Sequence, residues 1–273
     1  GYDRPLLATS ADGVGTKVAI AQRMDKHDTI GFDLVGMLVD DLVVCGAEPL
    51  FLTDYIACGK VVPERIADIV KGIAMACAET GTALVGGETA EHPGLLGVDE
   101  YDIAGSTTGV VEADRLLGAE RVRSGDVVIA MASSGLHSNG YSLVRKVFFD
   151  IAGWELDRDV PEFGRTLGEE LLTPTRLYAR PCLALVEAVE VHAMSHITGG
   201  GLAANLARVI PDAVSVRLDR SSWTPPAVFS VIGELGGIAR SDLDEALNMG
   251  VGMVAVVPPT SADAAVALLA RHG

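Results

Sequence analysis

Three carboxylates, Asp33, Asp40 and Asp41, interrupt a segment (FDLVGMLVDDLVVCGAEP, residues 32–49) that is otherwise apolar from Phe32 to Cys45. The pattern predicts a helix over 32–45, with Gly46 as its stop. At about 100° per residue, Asp33 and Asp40 point the same way and Asp41 lies one step round. Leu34, Val35, Leu38, Val39, Leu42 and Val43 cover much of the remaining circumference, so the helix should be buried on most sides. A lone carboxylate is costly there or takes up a proton. Grouped carboxylates call for cations, and a hard divalent ion such as Mg2+, shared with phosphate oxygens, meets that need. The alternative is a solvated stripe, which should also carry Lys, Glu or Gln; residues 32–45 contain none.

A second cluster precedes it in SADGVGTK (residues 10–17), where a strand runs into Asp12. Gly13 and Gly15 permit close backbone approach to a ligand, Lys17 offers a point charge to a phosphate, and Thr16 and Asp12 add oxygen donors. The order of a Walker A loop is absent, and taken alone the stretch also reads as an ordinary turn. Beside the acidic helix it becomes a site for a metal–triphosphate. A third stretch, LVGGETAEHPG (84–94), places Glu88 and Glu91 after a double glycine, in an expected loop. Two acids there suit a metal or a ribose hydroxyl, or simply a solvated hairpin.

The second half has two strand–glycine–helix junctions, ASSGLHSNGYSLVRK (132–146) and SHITGGGLAANLARVI (195–210). Free N–H groups and the helix dipole at such a start favour an anion. Ser134, Gly135, Ser138 and Asn139 in the first, and Thr198, Gly199, Gly200 and Gly201 in the second, are the candidate contacts. His137 and His196 titrate near neutral pH and could carry a proton, or serve as hydrogen-bonded loop imidazoles. In EELLTPTRLYARP (169–181), Thr173 reads as an N-cap and Pro174 as the first helical residue, with Arg176 and Arg180 free to pair with acids.

The elements that must position these residues alternate between strand and helix, indicating an α/β or α+β class. Strands are expected at 4–11, 50–57, 82–87, 101–111, 127–133, 191–197, 214–218 and 250–257. Helices are expected at 32–45, 63–80, from about 141, at 174–189, 201–209, 225–235, 241–247 and 261–271. A chain of 273 residues is long for one core. The polar stretch 112–126 is the best linker, dividing the chain into domains 1–116 and 122–273. The net charge of -16 argues against nucleic-acid or anionic-membrane partners. No run reaches the ~18 apolar residues of a membrane span. Cys45, Cys58, Cys77 and Cys182 form no C-x-x-C pair, and read as buried thiols in a reducing, cytoplasmic compartment.

Taken in order, DGVGTK, GFDLVGMLVDDLVVCGAEPLFLTDY, LVGGETAEHPG, SSGLHSNGYSLVRK, GEELLTPTR, HITGGGLAANLARVIP and NMGVGMV resemble the aminoimidazole ribonucleotide synthetase (phosphoribosylformylglycinamidine cyclo-ligase) family over almost the whole chain. The resemblance implies a two-domain ATP-binding superfamily fold. Its N-terminal domain forms a β-barrel-like dimer core and its C-terminal α/β domain holds substrate. It implies ATP-dependent ring closure of formylglycinamidine ribonucleotide in purine biosynthesis, with Mg2+, by a homodimer. Carried over, Asp12 and Asp41 are Mg2+ ligands with Asp33 and Asp40 beside them. Thr16 and Lys17 face phosphates, Glu88 reaches the nucleotide, and the SGLHSNG and TGGG loops hold the substrate. His137 is the first candidate for a catalytic contact, His196 the second, with Lys17 as a further one. Other members of the superfamily, selenophosphate synthetase and thiamine-monophosphate kinase, are the alternative enzymes, and a nucleotide-binding regulatory protein is the non-enzymatic one. Asp40 stands where the family pattern has Asn. The family's Gly-rich segment upstream of DGVGTK is missing and the last helix stops where the family continues, so the chain is expected to be part of a longer protein.

Overall fold

The first half winds four strands and three helices into two layers. A computed structural model describes residues 1–272. β1 (Pro5–Gly13) leads through a short turn at Gly15–Lys17 into α1 (Val18–Met24), then α2 (Ile30–Val43), β2 (Glu48–Cys58), α3 (Pro63–Thr80), β3 (Ala83–Glu91) and β4 (Tyr101–Glu112). The sheet order is β1-β4-β2-β3. β4 is antiparallel to both neighbours, and β2 and β3 are parallel with α3 as their crossover. Pro63 opens α3 and Gly81, at φ 79°, closes it. α2 and α3 pack closely because Gly31 and Gly72 meet at their crossing, where an added Cβ on either would overlap the other helix's end or its approach. The two helices cover one face of the sheet. The other face carries exposed Leu7, Phe51, Tyr55 and Val85.

The second half continues with β5 (Val127–Ala132), α4 (Tyr141–Arg145) running into a π turn, the two-residue strands β6 (Asp159–Val160) and β7 (Arg165–Thr166), α5 (Leu167–Leu171), α6 (Ala179–Ala188), β8 (Ala193–His196), α7 (Gly201–Ala207), α8 (Ala227–Gly236), α9 (Arg240–Ala246), β9 (Val251–Val257) and α10 (Ala262–Leu269). β5, β9 and β8 form an antiparallel sheet with β9 in the centre. Every residue of β9 is buried, as an apolar strand covered on both faces requires. One apolar cluster runs from Ile20 and Leu34 through Tyr178 to Phe148 and Met253, so the halves share a core. The chain is therefore a mixed α/β protein, as expected.

Three local expectations are corrected and one helix is added. Residues 214–218 form no strand; Val216 and Leu218 pack against the cluster around β9 and α7, so their alternation reflects a buried face without a ladder. Residues 173–178 are not helical, and α6 starts only at Ala179, because the N–H groups of Thr175 and Tyr178 are taken by side chains of α2. The capping box of this region sits instead at Thr166 and Glu169. Glu88 and Glu91 lie within β3, not in a loop, and Val18–Met24 is a helix that the pattern did not announce.

Candidate functional site

The end of β1, the turn after it, α2, the 133–140 loop, the 173–178 segment and the end of β8 converge at the junction of the two halves. The three carboxylates of α2 separate there into two kinds. Asp33 and Asp40 are fully buried on one face. Asp33 Oδ1 accepts from Lys17 Nζ (2.7 Å), Thr175 N (3.0 Å) and Thr175 Oγ1 (2.7 Å). Asp40 Oδ1 accepts from Tyr178 N at 2.9 Å. Between them Gly36 leaves room for the segment; a Cβ there would lie 2.7 Å from Thr175 Cγ2. Positions 33, 36 and 40 thus form a rail on α2 that holds an extended strip of the second half by its backbone.

Burial raises the Asp40 carboxyl to about 7, against the charge of His196 and the Tyr178 N–H, which lower it. Burial pushes the Asp33 carboxyl up, and the Lys17 charge and the Lys17 and Thr175 hydrogen bonds offset this only in part. Neither carboxylate reaches a free surface. The expectation of four grouped metal ligands is thus corrected for these two.

Asp41 is different. It stands partly exposed, and its Oδ1 meets His196 Nδ1 at 2.8 Å. Burial works against the imidazolium of His196, but the Asp41 hydrogen bond and the charges of Asp40, Asp41 and Asp12 outweigh it and raise its pKa. His196 is almost fully buried, with Nδ1 facing Asp41, and it lines a small cleft. That cleft, of about 290 Å3, is lined by Thr9, Ser10, Asp41, Ser195, His196 and Arg208 among others. Asp12 lies at the exposed end of β1, its Oδ1 accepting from Gly13 N at 2.7 Å. Gly13 is pressed against β4, where a Cβ would stand 2.9 Å from Ile103 O. Gly15, at φ 73°, faces open space, and Thr16 Oγ1 is 3.4 Å from Ser142 Oγ.

Lys17 does not point into the cleft. It is fully buried and its ammonium is spent on Asp33, His137 O and Thr173 O. His137 is equally withdrawn. Its Nε2 accepts from Ser134 N (3.2 Å), and its ring lies against Tyr178 and over Gly252. Burial, then the charges of His196, Lys17 and Arg176, hold its pKa well below the usual value. The imidazole is neutral with its proton on Nδ1, which makes it a clamp within its own loop. Of the two histidines, His196 is the one that lines the cleft.

The rest of the 133–140 loop is stitched down. Ser134 Oγ donates to Pro174 O (2.6 Å) and Ser138 Oγ to Val14 O (2.7 Å). Gly135 O accepts from Ser133 Oγ and Asn248 Nδ2. Asn139 Nδ2 contacts Met37 Sδ at 3.5 Å, and its Oδ1 faces Gly199. In the second loop, buried Asn205 shares its Nδ2 among Thr198 O, Gly199 O and Gly201 O, and Thr198 Oγ1 donates to Asn205 Oδ1 at 3.3 Å. Gly200 and Gly201 have φ of 94° and 72°, and a side chain on Gly201 would overlap Asp244 O. Glu88 is not part of this gathering. It is exposed on β3, three strand spacings of about 4.8 Å from β1.

Sequence reasoning missed Thr175, Tyr178, Asn205, Asn248 and Arg208. Tyr178 meets Asp40 through its backbone N–H, which leaves no mark on residue type, and Thr175 meets Asp33 through both its N–H and its hydroxyl. Asn205 and Asn248 were visible as single amides in apolar surroundings.

Whether the site fits a metal depends on the donors left free. Among the described residues no group of three His, Cys, Asp or Glu side chains is placed to hold an ion. Asp41 lines the cleft, and Asp12 is near enough for its charge to act on His196. That donor set fits Mg2+ carried in on phosphate oxygens with waters of its own, and not a metal bound by protein alone.

Residues 3–111 match the AIR synthase related protein N-terminal domain and residues 123–273 its C-terminal domain. The chain is 50% identical over 273 residues to a phosphoribosylformylglycinamidine cyclo-ligase of Shouchella clausii, covering 100% of this chain and 79% of that protein. Among solved structures, thiamine-monophosphate kinase from Stenotrophomonas maltophilia aligns with a TM-score of 0.69 at 20% identity, over 100% of this chain and 80% of that one. The hydrogenase maturation protein HypE, in complex with ATP, aligns with a TM-score of 0.61 at 22% identity, over 97% and 72%. Those two likenesses concern the fold. On both domain matches and the identity across its full length, the chain belongs to the phosphoribosylformylglycinamidine cyclo-ligase family.

Proposed function

We propose that the protein closes the imidazole ring of aminoimidazole ribonucleotide from formylglycinamidine ribonucleotide, using ATP and releasing ADP and phosphate, in purine biosynthesis. The observation that carries this reading is the 50% identity, over every residue of the chain, to a relative named for that reaction. ATP phosphorylates the formamide oxygen, the amidine nitrogen attacks the activated carbon, and phosphate leaves as the ring forms. Such a reaction needs positioning and charge neutralisation more than a strong nucleophile.

Several features support this division of labour. Asp12 and Asp41 would hold the Mg2+ that accompanies the nucleotide, where it neutralises phosphate charge. Gly13, Gly15 and Thr16 line the approach to those phosphates by backbone and hydroxyl. His196, oriented by Asp41 and favoured in its protonated form, is assigned a polar catalytic contact to the substrate. The loops 134–139 and 198–201 are assigned to the ribonucleotide, with domain 1–116 binding nucleotide and 122–273 binding substrate.

A homodimer is the proposed assembly. The sheet face with Leu7 at 73% and Val85 at 60% exposure, alongside Phe51 and Tyr55, is apolar enough to pair with a second copy. Glu88 lies on the same sheet and would reach a nucleotide only across such a pairing. No helix among the described residues is long and apolar enough to cross a membrane. The four cysteines are free thiols, which suits the reducing cytoplasm we assign.

The test is ADP release from Mg-ATP with and without formylglycinamidine ribonucleotide, followed by diazo coupling of the product. Release that depends on the ribonucleotide and yields an aminoimidazole chromophore is expected. Release that ignores the ribonucleotide, or yields no chromophore, overturns the assignment.

A further inference from the structure

Lys17 is a charge with no path to solvent, and its surroundings can be counted. Nζ donates to Asp33 Oδ1 at 2.7 Å, His137 O at 2.9 Å and Thr173 O at 2.7 Å. An ammonium has three N–H donors, and all are used. The Tyr141 ring, 5.5 Å away, closes a further side. Nothing remains for a phosphate. Asp33 Oδ1 in turn accepts from the N–H and hydroxyl of Thr175. One ion pair therefore ties the turn after β1 and α2 in the first half to the 133–140 loop and the 173–178 segment in the second.

The tie falls where the backbone most needs holding. His137 has φ of 60°, a left-handed conformation that a non-glycine residue keeps only when its surroundings impose it. The carbonyl of that residue is the one Lys17 grips. The flanking Ser134 and Ser138 are anchored separately, on Pro174 O and Val14 O. Without Lys17 the His137 carbonyl loses this hydrogen bond, while the anchors of Ser134, Gly135 and Ser138 remain.

We propose that Lys17 is a positioning residue and not a phosphate contact: with Asp33 it forms an internal strut that sets the Ser134–Asn139 loop for the ribonucleotide. The substrate's identity rests on the cyclo-ligase reading; the strut does not.

The test compares the whole protein with Lys17→Met/Asp33→Asn, which leaves no buried charge alone, and with Thr175→Val, which removes one hydroxyl and keeps the ion pair. Three readouts are taken: affinity for a non-hydrolysable ATP analogue with Mg2+, kcat and KM for formylglycinamidine ribonucleotide, and hydrogen exchange of amides 134–139. In the double variant the analogue affinity should stay within about twofold, kcat/KM for the ribonucleotide should fall roughly tenfold or more, and the loop amides should exchange faster. Thr175→Val should show the same pattern more weakly, and it carries the test if the double variant does not fold. A role in stability alone would lower Tm and leave kcat/KM of the folded enzyme unchanged, which overturns the proposal. A tenfold or greater (order of magnitude) loss of analogue affinity also overturns it, by making Lys17 a phosphate contact. If the unaltered protein closes no ring, the functional reading fails. The strut then stands on faster loop exchange at unchanged analogue affinity, and falls without it.

Discussion

The two faces of α2 put the same side chain to opposite uses. On one face Asp33 and Asp40, fully buried, accept hydrogen bonds from backbone N–H groups of the second half. On the other, one residue further on, Asp41 faces a cleft and orients His196. A carboxylate is an acceptor with four lone pairs and a charge, and its surroundings decide which property counts. Where water is excluded and N–H groups are offered, it is structural glue. Where a cleft is open and a histidine is near, it becomes part of a site. The two histidines divide in the same way: His137 accepts from its own loop and His196 lines the cleft.

The largest effect that would break this comparison is on activity. Asp41→Asn should lower ATP turnover by at least about 100-fold while leaving the circular dichroism unchanged, since the side chain is partly exposed and an amide oxygen can still accept from His196. Substantial activity in that variant would put Asp41 with the structural pair.

Next comes the rail itself. Gly36→Val forces a side chain into Thr175, whose Cγ2 would already lie 2.7 Å from an added Cβ. We expect a loss of about 1–3 kcal/mol in stability, read as a Tm several degrees lower. An unchanged Tm would mean that the 173–178 segment is not held against α2.

The smallest effect sharpens the contrast within the pair. The Asp40 carboxyl is raised to about 7 by burial, above its unfolded value of about 3.9. The cost of its charge is present in full above the folded pKa, fades as pH falls through it, and is gone below the unfolded one. Asp40→Asn keeps the acceptor for Tyr178 N and removes the charge. It should raise Tm by a few degrees at about pH 8, with the difference closing towards pH 4, and change turnover by less than about threefold. A Tm difference that does not vary with pH would show that Asp40 does not titrate in this range, and a complete loss of activity would make it a ligand after all.

Much of the fold was legible because it rests on local rules. The apolar period of α3, with Pro63 and Gly81 at its ends, and the continuous apolar run of β9 describe the elements they form. The stretches around Asp12 and Asp41, singled out for their carboxylates, do come together around His196. The errors share a cause. Residues 173–178 looked like the start of a helix, but Asp33 and Asp40, more than 130 positions away in sequence, hold their N–H groups. Lys17 looked free for a phosphate because its partner carbonyls belong to the backbone of His137 and Thr173.

The sequence by itself determined which residues are present to do chemistry, the elements that carry them and the family to which the chain belongs. Only the tertiary structure decided which carboxylate and which histidine face the cleft. Residue type sets what a group can donate or accept, but the long-range contacts that consume those bonds, and the burial that shifts their protons, exist only once the halves have docked.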